Sequence, residues 1–275
     1  MTDFTEAADR VWVARCPWWD LNVTLIGGER GLVVVDTDAS VVAGRDVLAD
    51  IRRLGVGEVH AVVHTHWHFD HTFGTAAFRE ADPHIPVHAH EEAARNLSDW
   101  GPGILDRLAH EGGPRSQEFR RTSLVIPDRT FATWQVIDLG DRAVELIHPG
   151  RGHTGGDVVV RVPDAGVLVA GDLVEESGPP GLGEDAFPLE WAPTLETVAA
   201  LATPSTVVVP GHGATVEADF VTGQQRELAH LAGEIRRLAA AGVPLEDAVR
   251  EGDWPWPDEI VTHAVQRGYA QIAAS

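Results

Sequence analysis

The residues of this chain best suited to chemistry lie together at positions 64–71, with the sequence HTHWHFDH. In extended backbone, side chains two residues apart point to the same side, so His66, His68 and Asp70 can converge while His71 leaves from the opposite face. If the chain turns sharply here, one short loop can serve two metal ions. Neutral imidazole and carboxylate suit zinc, and also iron or manganese where no thiolate is present. The run therefore predicts a metal site.

The composition narrows the kinds of site that are open to the chain. Cys16 is the only cysteine, which excludes an intramolecular disulfide and a zinc site built from several thiolates. The sequence contains no lysine, so Schiff-base chemistry and the lysine of a phosphate-binding loop are excluded as well. Any metal must be held by histidine and carboxylate side chains.

Three later positions have the same character as the histidine run. His153, Asp172 and His212 each follow a predicted strand and stand beside glycine, which lets backbone approach closely. The alternative interpretation of the run is a histidine-rich surface loop, or histidines that are hydrogen-bonded within the core. That interpretation would have to account for these three positions too.

The order of these residues resembles the motifs of the metallo-β-lactamase superfamily. The matching positions are Asp36 after an early strand, the run from His66 to His71, and then His153, Asp172 and His212. Their occurrence together and in order is specific, whereas a lone His-x-His would be a weak signal. The resemblance implies an αββα sandwich fold.

The resemblance also implies a role for each matching residue. One metal ion would be held by His66, His68 and His153, and the second by Asp70, His71 and His212. Asp172 would bridge the two ions. Asp36 would orient the histidine loop through hydrogen bonds, as carboxylates behind metal ligands commonly do. We expect two divalent ions, zinc before iron or manganese.

His64 needs separate treatment because strict alternation would place it on the same side as His66. The ligands already assigned fill two coordination shells and a bridge, so we expect His64 at the strand end or behind the ligands. His88 and His90 are interpreted as ordinary exposed or hydrogen-bonded histidines.

Hydrophobic patterning indicates two series of strands, each followed by helices. Strands are predicted at Val11–Ala14, Leu21–Ile26, Leu32–Val35, Val59–Val63, 86–90, Thr130–Ile137, Arg142–Ile147, Asp157–Val162, Val167–Ala170 and Thr206–Val209. Helices are predicted at 41–54 with Gly55 as a stop signal, at Thr194–Leu201, and from Ala218 onward. This pattern favours an α/β (α+β) four-layer αββα sandwich of two mixed β-sheets with helices on the outer faces. No linker-like composition separates the halves, so we expect one domain over residues 1–275.

The segment between the two series is less regular. A short helix is predicted at Glu91–Leu97, and residues 98–129 are predicted to be irregular because they are rich in glycine, proline and charge. Long insertions of this kind are usually functional or mobile. We interpret 98–129 as a candidate lid, with a solvated surface loop as the alternative.

The net charge and the N-terminal sequence lead to expectations about the binding partners and the cellular location of the protein. The formal net charge of −21 disfavours a nucleic-acid substrate, since nucleic-acid binders normally carry a basic face. The polar, acidic start and the lack of a long apolar run predict a cytoplasmic protein without a membrane segment. We expect a small-molecule substrate. The helices after Ala218 could pack on the sandwich or form a homodimer interface, and the sequence does not decide the oligomeric state.

The predicted reaction is hydrolysis. Two divalent ions that share a hydroxide can supply a nucleophile at neutral pH and polarise a carbonyl group. We expect attack on an ester, thioester, lactone or amide carbonyl. Asp70 is the candidate catalytic residue, because it would orient the nucleophile while it ligates the second ion.

Three alternatives to this hydrolase function stay open. Iron-binding members of the superfamily resemble this chain in ligands and oxidise persulfides or carry out di-iron redox chemistry. A true β-lactamase is less favoured, because β-lactamases carry Cys or Ser where this chain has Asp172, whereas an aspartate there resembles glyoxalase II, lactonases and ribonuclease Z. A non-catalytic metal-binding role is disfavoured because every expected ligand is present.

Overall fold

The computed structural model describes residues 3–274 of the chain. Its strands follow from an alternation of apolar side chains. In strand Gly31–Val35, Leu32 and Val34 pack toward helices on one side, while Val33 and Val35 pack toward the opposite sheet. Both faces of this strand are buried, as expected for a strand inside a layered sandwich.

The first sheet contains seven strands in the order β1-β2-β3-β4-β5-β6-β7. Neighbours are antiparallel from β1 to β4 and parallel from β4 to β7. The strands are β1 Thr5–Ala8, β2 Val11–Cys16, β3 Leu21–Gly28, β4 Gly31–Val35, β5 Val59–Val63, β6 Val87–His90 and β7 Arg129–Phe131.

The second sheet contains five strands in the order β12-β11-β10-β9-β8. Its neighbours are antiparallel except for β11 and β12, which run parallel. The strands are β8 Trp134–Asp138, β9 Ala143–Ile147, β10 Val159–Val162, β11 Val167–Gly171 and β12 Val207–Pro210.

Helices cover the outer faces of both sheets. The helices are α1 Val41–Leu54, α2 Phe69–Thr72, α3 Thr75–Ala81, α4 Glu91–His110, α5 Ser116–Phe119, α6 Trp191–Leu201, α7 Ala218–Ala240, α8 Leu245–Glu251 and α9 Asp258–Ala273. Helices α1 and α3 share a core with the first sheet, and α6, α7 and α9 share a core with the second. A third core lies between the sheets. The predicted four-layer sandwich is therefore confirmed.

Helix α1 shows why some boundaries were predicted well. The Ser40 hydroxyl accepts a hydrogen bond from the backbone N–H of Ala43, which caps the first turn. Gly55 ends the helix in the left-handed conformation with φ 69°, where a residue without Cβ is favoured. Both signals are local, so the sequence carries them by itself.

The prediction that residues 98–129 are irregular is wrong for their first part. Helix α4 continues through Pro102 to His110, and the short helix α5 follows. Proline inside a helix removes one hydrogen bond and disfavours helix. Packing of Ala93, Leu97 and Ile104 in a cluster with Phe119 outweighs that preference. The role of this segment as a lid stays a prediction.

The prediction of one strand over Thr130–Ile137 is also wrong. The structure divides this stretch between β7 in the first sheet and β8 in the second. The chain crosses between the sheets at 132–133, so pairing partners far along the chain decide this boundary. Strand β1 and the helices α2 and α3 were not predicted. Among the described residues, no helix has both the length and the apolar character needed to cross a membrane.

Candidate metal centre

The topology brings the predicted ligands to one edge of the sandwich. The histidine run follows β5, His153 follows β9, Asp172 follows β11, and His212 follows β12. Strands β9 and β11 each run antiparallel to β10, and β11 is parallel to β12. The carboxyl ends of β9, β11 and β12 therefore meet at one edge, and the loop after β5 faces them from the other sheet.

The first group of candidate ligands contains His66, His68, His153 and Asp172. One ligand atom from each lies within 4.8 Å of all the others. Asp172 Oδ2 lies 3.7 Å from His66 Nε2 and 3.4 Å from His153 Nε2. His153 Nε2 lies 2.8 Å from His68 Nδ1. This is the spacing expected of side chains that surround one cation.

The second group contains Asp70, His71 and His212, with ligand atoms that also lie within 4.8 Å of one another. Asp70 Oδ2 is 3.6 Å from His71 Nε2 and 3.5 Å from His212 Nε2. Asp172 reaches this group too, since its Oδ1 lies 3.1 Å from His71 Nε2 and its Oδ2 lies 3.4 Å from His212 Nε2. Asp172 is therefore in contact with both groups.

The outer nitrogens of the first group are held by acceptors. The Thr65 hydroxyl donates to Asp36 Oδ2 at 2.8 Å, so it accepts from His66 Nδ1 at 3.0 Å. His153 Nδ1 donates to the carbonyl of Gly181 at 2.9 Å. Donation from Nδ1 leaves a lone pair on Nε2, which is the atom that faces Asp172 in both histidines.

The second group is held in the same way. His71 Nδ1 lies 2.8 Å from Asp36 Oδ2, and His212 Nδ1 lies 2.6 Å from the carbonyl of Trp19. When the rings are neutral, both Nε2 atoms therefore carry lone pairs, and they lie only 3.3 Å apart. Asp36 has φ 61°, an uncommon left-handed conformation for a residue other than glycine. This bend brings its carboxylate to both Thr65 and His71.

In His68 the two ring nitrogens exchange roles, so Nε2 is the outer nitrogen and Nδ1 faces the group. Its Nε2 donates to Asp185 Oδ2 at 3.1 Å, which leaves the lone pair on Nδ1, the atom that faces His153. Trp67 Nε1 donates to the same Asp185 oxygen at 2.9 Å. Sequence reasoning missed Asp185, because it lies in an irregular loop far along the chain and in no motif.

The imidazole nitrogens that face the centre of each group show whether these residues fit divalent cations. Lone pairs of His68 and His153 face each other in the first group, and those of His71 and His212 in the second. His66 Nε2 is buried without a hydrogen-bond partner among the described residues. Buried acceptors that face one another are costly unless a proton or a metal cation lies between them. The donor set of histidine and carboxylate therefore fits two zinc-like ions.

The electrostatics agree with this fit. Burial alone would lower the pKa of His212, but the Asp172 and Asp70 carboxylates outweigh burial and raise it to about 9. Burial likewise opposes charge on His71, while Asp172, Asp36 and Asp70 raise its pKa well above the ordinary value. The field at the second group therefore favours positive charge, which protonated imidazole or a bound metal ion can supply.

His64 lies apart from both groups. It is buried, and its Nε2 is bonded to Thr75 Oγ1 at 2.7 Å. Thr75 contacts Thr37 Oγ1, which donates to the carbonyl of His71. Burial lowers the pKa of His64 to about 3. His64 therefore lies in a neutral polar network beneath the loop.

Glu175 is a second residue that sequence reasoning missed. Its carboxylate forms a third close group with Asp172 and His212. It accepts hydrogen bonds from the backbone N–H and the hydroxyl of Ser177. Burial and the nearby Asp172 raise the pKa of Glu175 to about 7. A glutamate two residues after an Ala-Gly-Asp-Leu stretch gives no distinctive signal in sequence.

A cleft of about 810 Å³ opens beside the two groups. His68 and Asp70 line it, together with an apolar wall of Trp67, Phe69, Trp100, Ile104 and Phe187. Trp100 is 64% exposed on helix α4, whereas Trp191 is fully buried in the core. The cleft can accept a partly apolar molecule next to the candidate ligands.

Comparisons with known proteins agree with this geometry. The sequence profile of the metallo-beta-lactamase superfamily matches residues 16–212. The chain is 26% identical over 194 residues to a metallo-beta-lactamase type 2 of Bacillus sp. (strain 170), covering 70% of this chain and 66% of that protein. It is 25% identical over 228 residues to a linear primary-alkylsulfatase of Pseudomonas sp. (strain ATCC 19151), covering 70% of this chain and 41% of that protein. The chain thus spans less than two thirds of the length of these relatives.

Solved structures show the same fold. A metallo-beta-lactamase from Pontibacter korlensis superposes with a TM-score of 0.69 at 23% identity, covering 83% of this chain and 99% of that chain. The DIM-1 metallo-beta-lactamase superposes with a TM-score of 0.64 at 19% identity, covering 83% and 97%. At these identities the likeness is one of fold.

Proposed function

The chain belongs to the metallo-β-lactamase superfamily, and from this membership we propose that it is a dinuclear metal-dependent hydrolase. The observation that carries the proposal is the set of inward-facing imidazole lone pairs around Asp172. His66, His68 and His153 would hold one ion, Asp70, His71 and His212 the other, and Asp172 would bridge them. Zinc is the expected metal, with iron or manganese as alternatives.

When bound, two such ions lower the pKa of a water molecule toward neutrality and polarise a carbonyl oxygen. The chain's own residues supply orientation. Asp70 Oδ2 lies 3.5 Å from His212 Nε2 at the floor of the cleft, where it can accept a hydrogen bond from the attacking water. Asp36 and Asp185 hold the rings of His71 and His68 through hydrogen bonds.

The apolar wall of the cleft supports a small molecule with a hydrophobic portion as the substrate. We propose an ester, thioester, lactone or amide as the bond that is cleaved. No catalytic serine or cysteine is required, because activated water is the nucleophile. Trp67, fixed by its hydrogen bond to Asp185, would pack against the substrate beside His68.

A second candidate, β-lactam hydrolysis, is favoured by one observation. Two relatives named metallo-beta-lactamase type 2 each match 70% of this chain. Against this candidate stands Asp172, because the resemblance to the superfamily implies Cys or Ser at this position in β-lactamases. We therefore rank the ester class first.

The test is an activity screen with defined metal content. The chain is purified without added metal, its bound metals are measured by mass spectrometry, and zinc, manganese and iron forms are prepared. Each form is assayed with 4-nitrophenyl esters, a thioester, a lactone, a β-lactam and, because of the relative named alkylsulfatase, a linear alkyl sulfate. His68→Ala and Asp70→Ala are the matched site variants, and Arg226→Gln, an exposed substitution on α7, is the control.

The proposal expects turnover that depends on metal and is lost in both site variants. Hydrolysis that survives in both variants with unchanged metal content would contradict it. Iron in the purified protein together with no hydrolysis in any metal form would favour the redox alternative. Turnover of the β-lactam alone would favour the second candidate.

A further inference from the structure

A second groove lies next to the catalytic cleft. It has a volume of about 950 Å³ and is lined by Arg151, Arg236 and Arg267 together with Phe187. Small side chains form much of the remaining surface, among them Ala239. We call this surface the basic groove.

The charge of the basic groove is unusual for this protein. The chain has a formal net charge of −21, yet the charged residues that line the groove are three arginines and one glutamate, Glu190. Glu190 is engaged by Arg151, whose Nε and Nη2 lie 2.9 and 2.7 Å from its two carboxylate oxygens. Among the described residues that line the groove, no acidic side chain is left to pair with Arg236 or Arg267.

Both remaining arginines are held by the backbone. Arg267 Nε donates to the carbonyl of Ala186 at 3.0 Å, and Arg236 Nη2 donates to the carbonyl of Leu189 at 2.9 Å. Within residues 3–274, no carboxylate oxygen lies within 4.0 Å of either guanidinium. Positioned guanidinium groups without an acidic partner are suited to bind a carboxylate or phosphate group.

The basic groove and the catalytic cleft share a wall. Phe187 and Arg267 line both spaces. The guanidinium of Arg151 lies 4.4 Å from the centre of the Phe187 ring and that of Arg267 lies 5.4 Å from it, so both cations contact the ring. A molecule bound beside His68 can therefore extend across Phe187 into the groove.

A negatively charged group of the substrate would be bound more favourably in the basic groove than in the cleft, because acidic residues line the cleft. Glu92, Glu184 and Asp185 line the cleft and would repel a negative group there. Arg107 also lines the cleft, but its guanidinium is paired with Glu111 at 3.2 Å. Arg236 and Arg267 belong to α7 and α9, which lie beyond residues 16–212 matched by the superfamily profile. These two arginines are thus supplied by the C-terminal helices of this chain.

We infer that the substrate carries a carboxylate remote from the bond that is cleaved, and that Arg236 and Arg267 bind it in the basic groove. This inference rests on the proposed function. It assigns Arg236 and Arg267 the role of specificity determinants, and Phe187 the role of the surface over which the substrate passes.

The first experiment compares two esters that differ only at the far end of the acyl chain. These are 4-nitrophenyl hexanoate and the mono-4-nitrophenyl ester of adipic acid, assayed with the metal-loaded full chain. We expect kcat/KM to be about tenfold higher for the acidic ester, and Arg236→Gln or Arg267→Gln to remove that preference through KM. The loss for the neutral ester should be smaller than the loss for the acidic ester in both variants. Arg226→Gln, the same charge change on α7 outside the groove, should leave both esters unchanged.

The second experiment does not depend on turnover. Binding of adipate and hexanoate to the metal-loaded chain is measured by calorimetry, which controls for a carboxylate that binds at the metals themselves. We expect adipate to bind about tenfold more tightly, with the difference lost in Arg267→Gln and kept in Arg226→Gln.

The outcomes separate the two proposals. Tighter binding of adipate without hydrolysis of any ester would leave the groove assignment standing and contradict the hydrolase. Hydrolysis of both esters at equal kcat/KM, with equal binding of adipate and hexanoate, would overturn the groove assignment alone. Equal losses in Arg226→Gln and Arg267→Gln would overturn it too.

Discussion

The Nε2 atoms of His71 and His212 lie 3.3 Å apart, and in the neutral rings the hydrogen bonds of both Nδ1 atoms turn a lone pair of each ring toward the other. Asp36 fixes the first ring and the Trp19 carbonyl fixes the second. Two buried acceptors in this arrangement repel unless positive charge lies between them. The close approach of these two nitrogens therefore predicts that metal binding affects the stability of the fold.

Removal of metal should destabilise the fold. Ligands that bind the folded state alone stabilise it by about 4 kcal/mol at a thousandfold excess over the Kd. We expect about two zinc ions per chain and a fall in Tm of several degrees after chelation, measured by calorimetry and metal analysis. His212→Ala should reduce the stoichiometry to about one. An unchanged Tm in chelator would argue that the site does not bind metal in the folded chain.

Asp36→Asn should weaken the second ion more than the first. Asp36 accepts from the backbone N–H and the hydroxyl of Thr65 and from His71, and an asparagine NH₂ group cannot accept. Loss of such support commonly costs ten- to a hundredfold in metal affinity, by order of magnitude. Competition titration with a chromophoric chelator would measure it. Equal affinities of the variant and the wild type for the second ion would contradict this expectation.

Asp185→Asn should act on the first ion through His68. The neutral amide oxygen of asparagine accepts hydrogen bonds more weakly than the charged Asp185 oxygen that serves both Trp67 and His68, so the ring of His68 should be held less firmly. We expect about tenfold weaker binding of the first ion and an altered visible spectrum of the cobalt-substituted protein. Glu184→Gln is the matched control at the neighbouring exposed position. A similar spectrum in Asp185→Asn and wild type would refute the role.

Gly211→Ala should displace Asp172. A Cβ at position 211 would lie 1.8 Å from Asp172 Oδ1, which is far inside contact distance. We expect binding of both ions to be lost or greatly weakened, because Asp172 contacts both groups. Gly223→Ala is the control, since nothing lies within 4 Å of that site in α7. It should stabilise the helix by about 0.5–1 kcal/mol. Normal metal content in Gly211→Ala would contradict the assignment of Asp172.

The contribution of Asp38 to the free energy of unfolding should decrease as pH rises. Burial raises the pKa of Asp38 from 3.8 to about 6, although the Ala39 N–H donates to its carboxylate. Because the pKa is higher in the folded state, this contribution is fully present below about pH 4 and is lost as pH rises through about 6. The loss is on the order of 3 kcal/mol at most.

Asp38→Asn isolates that contribution. Asparagine keeps an acceptor for the Ala39 N–H and tolerates the φ of 71° at this position. Urea unfolding of chelated protein between pH 4.5 and 8 should show the variant gaining stability over wild type as pH increases. A difference that stays constant across this range would count against the burial of a carboxylate with a raised pKa.

Residue type and order along the chain identified much of the candidate site in advance. The run at 64–71 and the positions of His153, Asp172 and His212 beside glycine carry their signal locally. The alternating strands and the caps of α1 are local as well, which is why the two-sheet sandwich and several boundaries could be predicted. Hydrogen-bond donors, alternation and turn chemistry act between residues close in sequence.

The tertiary structure alone decided the rest. Asp185 approaches His68 from a position more than a hundred residues along the chain, and Arg236 and Arg267 meet Arg151 only because α7 and α9 pack on the second sheet. Packing against Phe119 likewise carries α4 through Pro102, and pairing in different sheets divides β7 from β8. These features depend on contacts between distant segments, whose energies have no counterpart in the local sequence pattern.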